Sequence, residues 1–514
     1  LAHPQGGKLL DILGKVRIEN IDKNVISSSK FGMSGFYLNR LLKLQKSGGK
    51  IGLVGLGLEN LQFLDWLVFE ISFPVSQIYL ADKIDKKELL EKYQIPSENL
   101  FFNSEYLQIL DSVDWVFKSP GIWSLLPEFE NFRNKKGEDF VSSSLVFFLE
   151  KFRDEIVAVT GTKGKSTTSN LIFHTLQTFG YQVFYAGNTT NISPYKFWNQ
   201  ENSYFVLELS SFQLQDLGNS NLSSKYAIIT NLYIDHQDQH GSVSEYWLSK
   251  MEIFRSQKDG DFFVTTKDVF EKIDKSKKSK IENLAKNVII NKKDEQKISE
   301  KYPSSLLGEH NLENMTLAFR ICEAIYLENL PKLLQKSSSS YQNLAHRLEF
   351  VTKKKYAEKE VFFYDDGAAT EGQAVMAAIE TLTQNADLWL FITGVDKGSE
   401  IPKLANLIEK KVFKASLCGE IGLKIYNFLV SDFEDKNPNS KVSFREKYPN
   451  IIYHKSFKLA LISEFENFEK VLEISQKNRL NVVLSPSGSS FDEFKNYLER
   501  CDFYLTNIKN LTEN

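Results

Sequence analysis

Residues Val157–Thr168 read VAVTGTKGKSTT, an apolar β-type run that breaks at a glycine and enters a helix through Gly164-Lys165-Ser166. Strand, glycine turn and helix in that order are the context a phosphate-binding loop requires. The long spacing G-x-x-x-x-G-K-[ST] would place glycine at position 159, where Val159 stands instead. Gly161 and Gly164 still let backbone N–H groups turn toward an anion, and the helix start adds partial positive charge. Gly161, Thr162, Lys163, Gly164, Lys165, Ser166 and Thr167 therefore form a candidate nucleotide-phosphate site. Lys165 has the reach for the β- and γ-phosphates, and Ser166 or Thr167 is placed to ligate Mg²⁺. Taken alone, the loop indicates a nucleotide phosphate and nothing narrower.

The same pattern occurs twice more. Lys50–Gly57, KIGLVGLG, leads into the amphipathic NLQFLDWLVFEI. From Val361 the chain reads VFFYDD, a helical TEGQAVMAAIETL, then LWLFITG and NVVLSPSG. Repeated units of this kind mark an α/β fold with mostly parallel sheets. At 514 residues the chain is too long for one core. Polar stretches near 140 (NKKGEDFVSSS) and 345 (after KSSSSYQN) divide it into three expected domains, 1–140, 141–345 and 346–514. The lysine-rich 272–301 and the polar 431–450 are expected to be solvated decoration, the latter a long loop. The stretch before Lys50 is an extension without a legible role.

Hydrophobic residues at 42% and charged residues at 25% are ordinary for a globular chain. A formal net charge of −3 gives no support to a nucleic-acid or membrane partner, both of which favour basic surfaces. Cys322, Cys418 and Cys501 are far apart and odd in number, so they suggest neither a disulfide framework nor a metal knuckle. No apolar run approaches the roughly 18–20 residues of a membrane span. A soluble, cytoplasmic protein is expected.

Further stretches bear on chemistry. Tyr204–Gln213, YFVLELSSFQ, puts Glu208 at the C-terminal end of a strand, where ligand sites gather in parallel sheets. A carboxylate there, beside a phosphate loop, is placed to hold Mg²⁺. After the strand AIITNL come Asp235, His236, Asp238 and His240, which suit metal or phosphate work or equally a polar loop with a satisfied histidine. Asn311 and Asn314 lie at helix spacing in HNLEN, where capping is the plainer role. Gly55-x-Gly57-x-x-Asn60 is one residue short of the dinucleotide fingerprint and is weak by itself.

The segments TGTKGKST, LELSSFQL, TNLYIDHQDQHGSVSEYWLSK, GEHNLENMTLA, HRLEF, TGVDKG and LSPSGSSFDEFKNYLERCDFY occur in the order found in the Mur ligases. From Lys50 to the C-terminus the chain resembles the branch of that family that adds D-glutamate to UDP-N-acetylmuramoyl-L-alanine. The family's own loop is the short G-x-x-G-K-[ST], which Gly161–Ser166 matches. The resemblance implies a Rossmann-like N-terminal domain for the UDP, a central P-loop-type ATPase domain, and a Rossmann-like C-terminal domain for the amino acid. It also implies a reaction. ATP phosphorylates the L-alanyl carboxylate, the D-glutamate amine attacks the acyl phosphate, and a tetrahedral intermediate releases phosphate, in peptidoglycan precursor synthesis. Two anions must meet, which calls for lysine and Mg²⁺ to offset their repulsion. Two Mg²⁺ sites and a monomer are expected.

Carried over by motif, the expected catalytic residues are Lys165, Glu208, His236 and Lys250. Lys165 would stabilise the γ-phosphate, and Ser166 or Thr167 with Glu208 would hold one Mg²⁺. His236 would serve the second metal and the substrate, and Lys250 would stand beside it as a carbamate. Asn314 is expected near the adenine, Arg347 and Asp366 on the nucleotide, and Thr370 on D-glutamate. Lys397, Ser490, Phe491 and Tyr497 match the pocket for the amino-acid carboxylates, which needs cations and hydroxyl donors. In the first domain Gly57, Leu58, Asp82, Lys83, Ser119 and Gly121 would line the UDP site. The Glu59 side chain has no ligand role, because a carboxylate beside a diphosphate is repelled. Ser210 is a further substrate contact, and Asn188, rather than Asn191, is the substrate asparagine of GNTTNISP.

One departure concerns the family's DSKAT, which here is Asp366-Gly367-Ala368-Ala369-Thr370, so a cationic nucleotide contact is missing at Ala368. Rival readings are a related amide ligase such as folylpolyglutamate synthase, an NAD-dependent oxidoreductase, and a non-catalytic binding protein. No DNPR-type diaminopimelate motif is present. An oxidoreductase leaves the phosphate loop and Glu208 unexplained, and loss of chemistry conflicts with retention of Lys165, Glu208, His236, Lys250 and Lys397.

Overall fold

Runs such as IGLV, IVAVT and LWLFIT are apolar on both faces, so they can be satisfied only inside a sheet covered by helices on each side. The computed structural model describes residues 35–513, apart from 189–191, 219, 234–239, 275–277, 279–280, 282–285, 305, 307, 327–329, 342–343, 397 and 439. Three α/β units follow one another. The first sheet has strands β1 (Ile51–Val54), β2 (Ile78–Asp82), β3 (Leu100–Phe102), β4 (Trp115–Lys118) and β5 (Val141–Ser142), in the order β3-β2-β1-β4-β5. All its pairings are parallel, and its edge strand β5 lies just past the break near 140.

The second sheet is also parallel throughout. Strands β6 (Ile156–Thr160), β7 (Val183–Gly187), β8 (Tyr204–Glu208), β9 (Tyr226–Ile229), β10 (Phe262–Thr266) and β11 (Lys286–Ile290) run in the order β11-β10-β9-β6-β8-β7. The third sheet comprises β12 (Glu349–Tyr356), β13 (Lys359–Asp365), β14 (Asp387–Thr393), β15 (Val395–Asp396), β16 (Lys414–Cys418), β17 (Ile451–His454) and β18 (Arg479–Ser489). Its order is β12-β13-β18-β14-β16-β17, with β12 antiparallel to β13 and β15 antiparallel to β18. In each sheet the order reverses beside a central strand, and ligands bind at the C-terminal ends of strands around such a reversal.

Two stretches expected as decoration are structural. Within 272–301 the chain supplies β11 and the helix Lys292–Lys301, because Val288 and Ile290 pack onto the second core between the lysines. In 431–450 the helix Gly419–Lys436 continues into the polar run, and a short helix Phe444–Lys447 packs Phe444 against Phe433, Tyr426 and Tyr448. The serines before 345 also belong to a regular element. They end the helix Leu330–Ser340, where Ser337 meets Thr175 Oγ1 at 2.8 Å and Ser338 donates to the Tyr302 and Pro303 carbonyls. From the N-terminal extension, the helix Phe36–Lys46 is anchored by Glu150, whose carboxylate accepts the Tyr37 and Leu38 N–H groups.

The first two units share one apolar core. Phe63, Trp66 and Phe117 of the first meet Phe147 and Phe148 of the connecting helix Leu145–Phe152, and these meet Tyr195, Trp198 and Phe205 of the second. Polar contacts across this junction are buried as well. Lys118 Nζ lies 2.7 Å from Asp216 Oδ2, and Ser124 donates to the other Asp216 oxygen. Removing one member of a buried pair strands the other charge, at a cost of about 3 kcal/mol or more, whereas replacing both with apolar groups is far cheaper. Lys118→Met is therefore expected to lower the stability of the first urea-unfolding transition by about 3 kcal/mol, and Lys118→Met/Asp216→Leu to recover most of that loss.

Candidate active site

The phosphate loop takes its shape from two glycines. Gly161 has φ +149° and Gly164 φ +76°, and a Cβ would overlap Thr230 Oγ1 at the first and Asn314 Oδ1 at the second. The loop is tied to the end of β9: Thr162 N donates to the Asn231 carbonyl at 3.0 Å, and Lys163 N to Asn231 Oδ1 at 2.8 Å. Thr230 Oγ1 and Asn231 Nδ2 both donate to the Lys163 carbonyl. Gly164 then caps the helix Lys165–Thr178, whose first residues Lys165, Ser166 and Thr167 line the cavity beyond. Lys165 Nζ donates to the carbonyls of Gly161 and Thr162, each at 3.0 Å.

That cavity, of about 580 Å³, lies between the second and third units. It gathers most of the expected nucleotide residues: Thr162, Lys163, Gly164, Lys165, Ser166 and Thr167 from the loop, with Glu208, Asn188 and Asn314 beside them. Across it stand Arg347, Asp366, Ala368 and Thr370 from the third unit. Glu208 is fully buried, accepts a hydrogen bond from Tyr185 Oη at 3.1 Å, and holds Asn188 N on its carbonyl. Asn314 accepts from Thr168 Oγ1 at 3.2 Å, so it braces the phosphate loop as well as facing the cavity. An ion pair between Lys163 and Glu371 spans the opening.

Other expected residues stand elsewhere. Lys250, 2% exposed, lies behind the loop with Nζ 3.0 Å from the Gly161 carbonyl and 4.5 Å from the Tyr246 ring centre. Ser210 acts as a helix cap, in a reciprocal pair with Gln213 at the start of Ser211–Leu217. His240 is buried, with Nε2 3.0 Å from Ser211 Oγ and its ring stacked on Phe212. His236, Asp235, Asp238, Asn191 and Lys397 lie outside the described residues. Ser490, Phe491 and Tyr497 follow β18 outside the cavity, with Ser490 buried and Phe491 73% exposed.

In the first unit, the loops after β1 and β4 touch where the strand order reverses. A Cβ at Gly55 (φ +80°) would lie 2.7 Å from Ser119 Cβ, and one at Gly57 3.3 Å from Ser119 Oγ. Leu58, Lys83 and Gly121 are exposed around them. Asp82 turns inward instead: it accepts from Leu56 N and Ile84 N and pairs with Lys86, and these contacts hold its carboxyl below the usual range despite partial burial. Asn60 Nδ2 donates to the carbonyls of Val54, Gly55 and Phe117. Glu59 faces Ser143, Ser144 and Gln213, which all hydrogen-bond to its carboxylate.

Sequence reasoning missed Asn231, Tyr233, Glu313 and Glu371 in the cavity wall. Asn231 had a signal, since it ends the strand AIITN beside the loop. Glu313, pushed up to about 7 by burial and by Glu295, had none.

Asp366 is buried, accepts from Leu348 N at 2.9 Å and Ser485 Oγ at 2.7 Å, and burial pushes its carboxyl from 3.8 up to about 7. A carboxyl raised on folding contributes stability that is complete below its unfolded value and lost as pH rises through its folded value. Asp366→Asn is thus expected to flatten the fall in unfolding free energy between pH 4 and pH 7, measured by urea denaturation across that window.

The Mur ligase middle domain model matches residues 159–322, which hold the phosphate loop, Glu208 and Asn314. The UDP-N-acetylmuramoylalanine–D-glutamate ligase of Aquifex aeolicus is 30% identical over 76% of this chain and 87% of its own length. Enzymes of the same name from Clostridium tetani (26% identical, 90% and 97% covered) and Christiangramia forsetii (29%, 84% and 94%) align similarly. Among solved structures, MurF ligase from Thermotoga maritima in complex with ADP superposes with a TM-score of 0.50 at 13% identity, covering 90% of this chain and 95% of that one, a likeness of fold. With its short phosphate loop on β6 and a relative this similar along most of its length, the chain belongs to the UDP-N-acetylmuramoylalanine–D-glutamate ligase family of the Mur ligases.

Proposed function

We infer that the chain uses ATP to join D-glutamate to UDP-N-acetylmuramoyl-L-alanine, the reaction for which its relatives are named. One observation carries this reading. A phosphate loop with its lysine faces, across one cavity, an arginine, a buried carboxyl and a threonine from a separate unit. A plain nucleotide-binding module has no need of the second wall, whereas a ligase must bring triphosphate, carboxylate and amine together.

In this reading the first unit holds the UDP at the Gly55 and Ser119 loops, where the exposed Leu58 and Lys83 border the reversal of strand order. The second unit holds the triphosphate on the loop N–H groups, with Lys165 offsetting charge as the carboxylate oxygen meets the γ-phosphorus. Ser166, Thr167 and Glu208 all border the cavity, and oxygen donors of this kind fit Mg²⁺. Bound there, Mg²⁺ would screen the phosphate charge. The second metal would rest on His236 and on Lys250 as a carbamate, a negative charge in place of an ammonium directly behind the loop. Arg347, Asp366 and Asn314 would hold the nucleoside. Thr370, Lys397, Ser490, Phe491 and Tyr497 would receive D-glutamate, with Ser490 to Tyr497 reaching the cleft as the third unit closes. Such closure would move the third unit as a body, since it has its own cores while the first two share one.

The test is phosphate release from ATP. It is expected only when UDP-N-acetylmuramoyl-L-alanine and D-glutamate are both present; equal turnover with L-glutamate, or none with D-glutamate, would overturn the reading. Lys165→Ala and Glu208→Ala are each expected to reduce kcat by about 10²-fold or more, with circular dichroism unchanged. Full activity in either variant would remove that residue from the site.

A further inference from the structure

We propose that His346, Asp365 and Cys501 form a binding site for a divalent cation of the zinc class, distinct from the Mg²⁺ of the ATP cleft. The three come from separate elements: the segment entering β12, the end of β13, and the final helix Tyr497–Glu513. Their nitrogen, oxygen and sulfur donor atoms all lie within 4.8 Å of one another. Asp365 and Cys501 are buried, and the His346 side chain retains 15% exposure, which leaves a way in from solvent.

The surroundings orient these donors. Asp365 Oδ2 meets His346 Nδ1 at 2.7 Å, while its Oδ1 accepts the Gly367 N–H at 2.8 Å. A carboxylate oriented by a second hydrogen bond is the usual support of a metal site. The Cys501 sulfur fills the space beside Gly367, where any Cβ would overlap it. His346 is held at φ +62°, its N–H donating to Glu349 at 2.9 Å, so the ring is presented to Asp365 by a constrained backbone. Glu349 and Asp502 add negative charge near the imidazole. Arg500, beside Cys501, is engaged by the Gly488 and Gly367 carbonyls.

A nitrogen, an oxygen and a sulfur ligand suit zinc, with a fourth position left for water, and a thiolate disfavours magnesium. On binding, the proton between His346 Nδ1 and Asp365 leaves Nδ1, to Nε2 of a neutral ring or to solvent from an imidazolium, and the Cys501 thiol gives up its proton to solvent.

The experiment uses the full chain, stripped with chelator, free of nucleotide and titrated with Co²⁺. One equivalent is expected to bind with near-ultraviolet thiolate-to-cobalt charge-transfer absorption, and Zn²⁺ to displace it. Cys501→Ser should abolish the absorption and His346→Ala weaken binding at least about tenfold, with circular dichroism unchanged. Cys322→Ser, a buried thiol in the second core, should leave it intact. Absence of the band in the wild-type chain, or its survival in Cys501→Ser, would overturn the proposal. Should Cys501→Ser fail to fold, an undiminished band and affinity in His346→Ala would do so.

Discussion

The carbonyl of Gly161 is the point on which the site depends. Lys165 Nζ from within the loop and Lys250 Nζ from behind it each lie 3.0 Å from that one oxygen. The residue must be glycine, since φ +149° and the overlap with Thr230 exclude a side chain. A carbonyl so placed ties two lysine side chains to the loop, while the Thr162 and Lys163 N–H groups are held by Asn231. The loop is thereby fixed in one shape by its own contacts, and preorganisation of this kind is the condition for strong electrostatic stabilisation.

Rigidity is distributed unevenly around this point. Behind the loop, Thr230 and Asn231 fasten it to β9, and the shared aromatic core with the Lys118–Asp216 pair locks the second unit to the first. In front, the third unit meets the loop across an open cavity and through the half-exposed Lys163–Glu371 pair. Exposed pairs hold elements together weakly compared with buried aromatic cores. The molecule is therefore stiff where phosphate and UDP-type sites must keep a fixed spacing, and soft where a second wall has to approach.

Several polar side chains near these loops brace the backbone. Asp82 and Asn60 satisfy the N–H groups and carbonyls of the first glycine turn, and Ser210 caps a helix. Tight turns leave backbone groups without partners, and a buried unpaired group is costly, so short polar residues beside them are drawn into that role. Glu59 instead links side chains between units, accepting from Ser143 Oγ, Ser144 Oγ and Gln213 Nε2.

By itself the sequence determined what depends on neighbours a few residues apart. The strand–glycine–helix succession, the short Gly161–Ser166 spacing and the strand-end position of Glu208 follow from local periodicity and turn chemistry, and each appears in the structure where it was read. Tertiary structure alone decided what depends on distant chain segments. Charge dominates the composition of 272–301 and 431–450, and most described residues of the latter are exposed, yet Ile290 and Phe444 pack on apolar partners outside the local window. Glu371 meets Lys163, and Asp365 gathers His346 and Cys501, across separations that no spacing rule spans. Local patterns are set by backbone geometry repeating every few residues; convergence of side chains is set by how the sheets and helices pack, and exists only once they have done so.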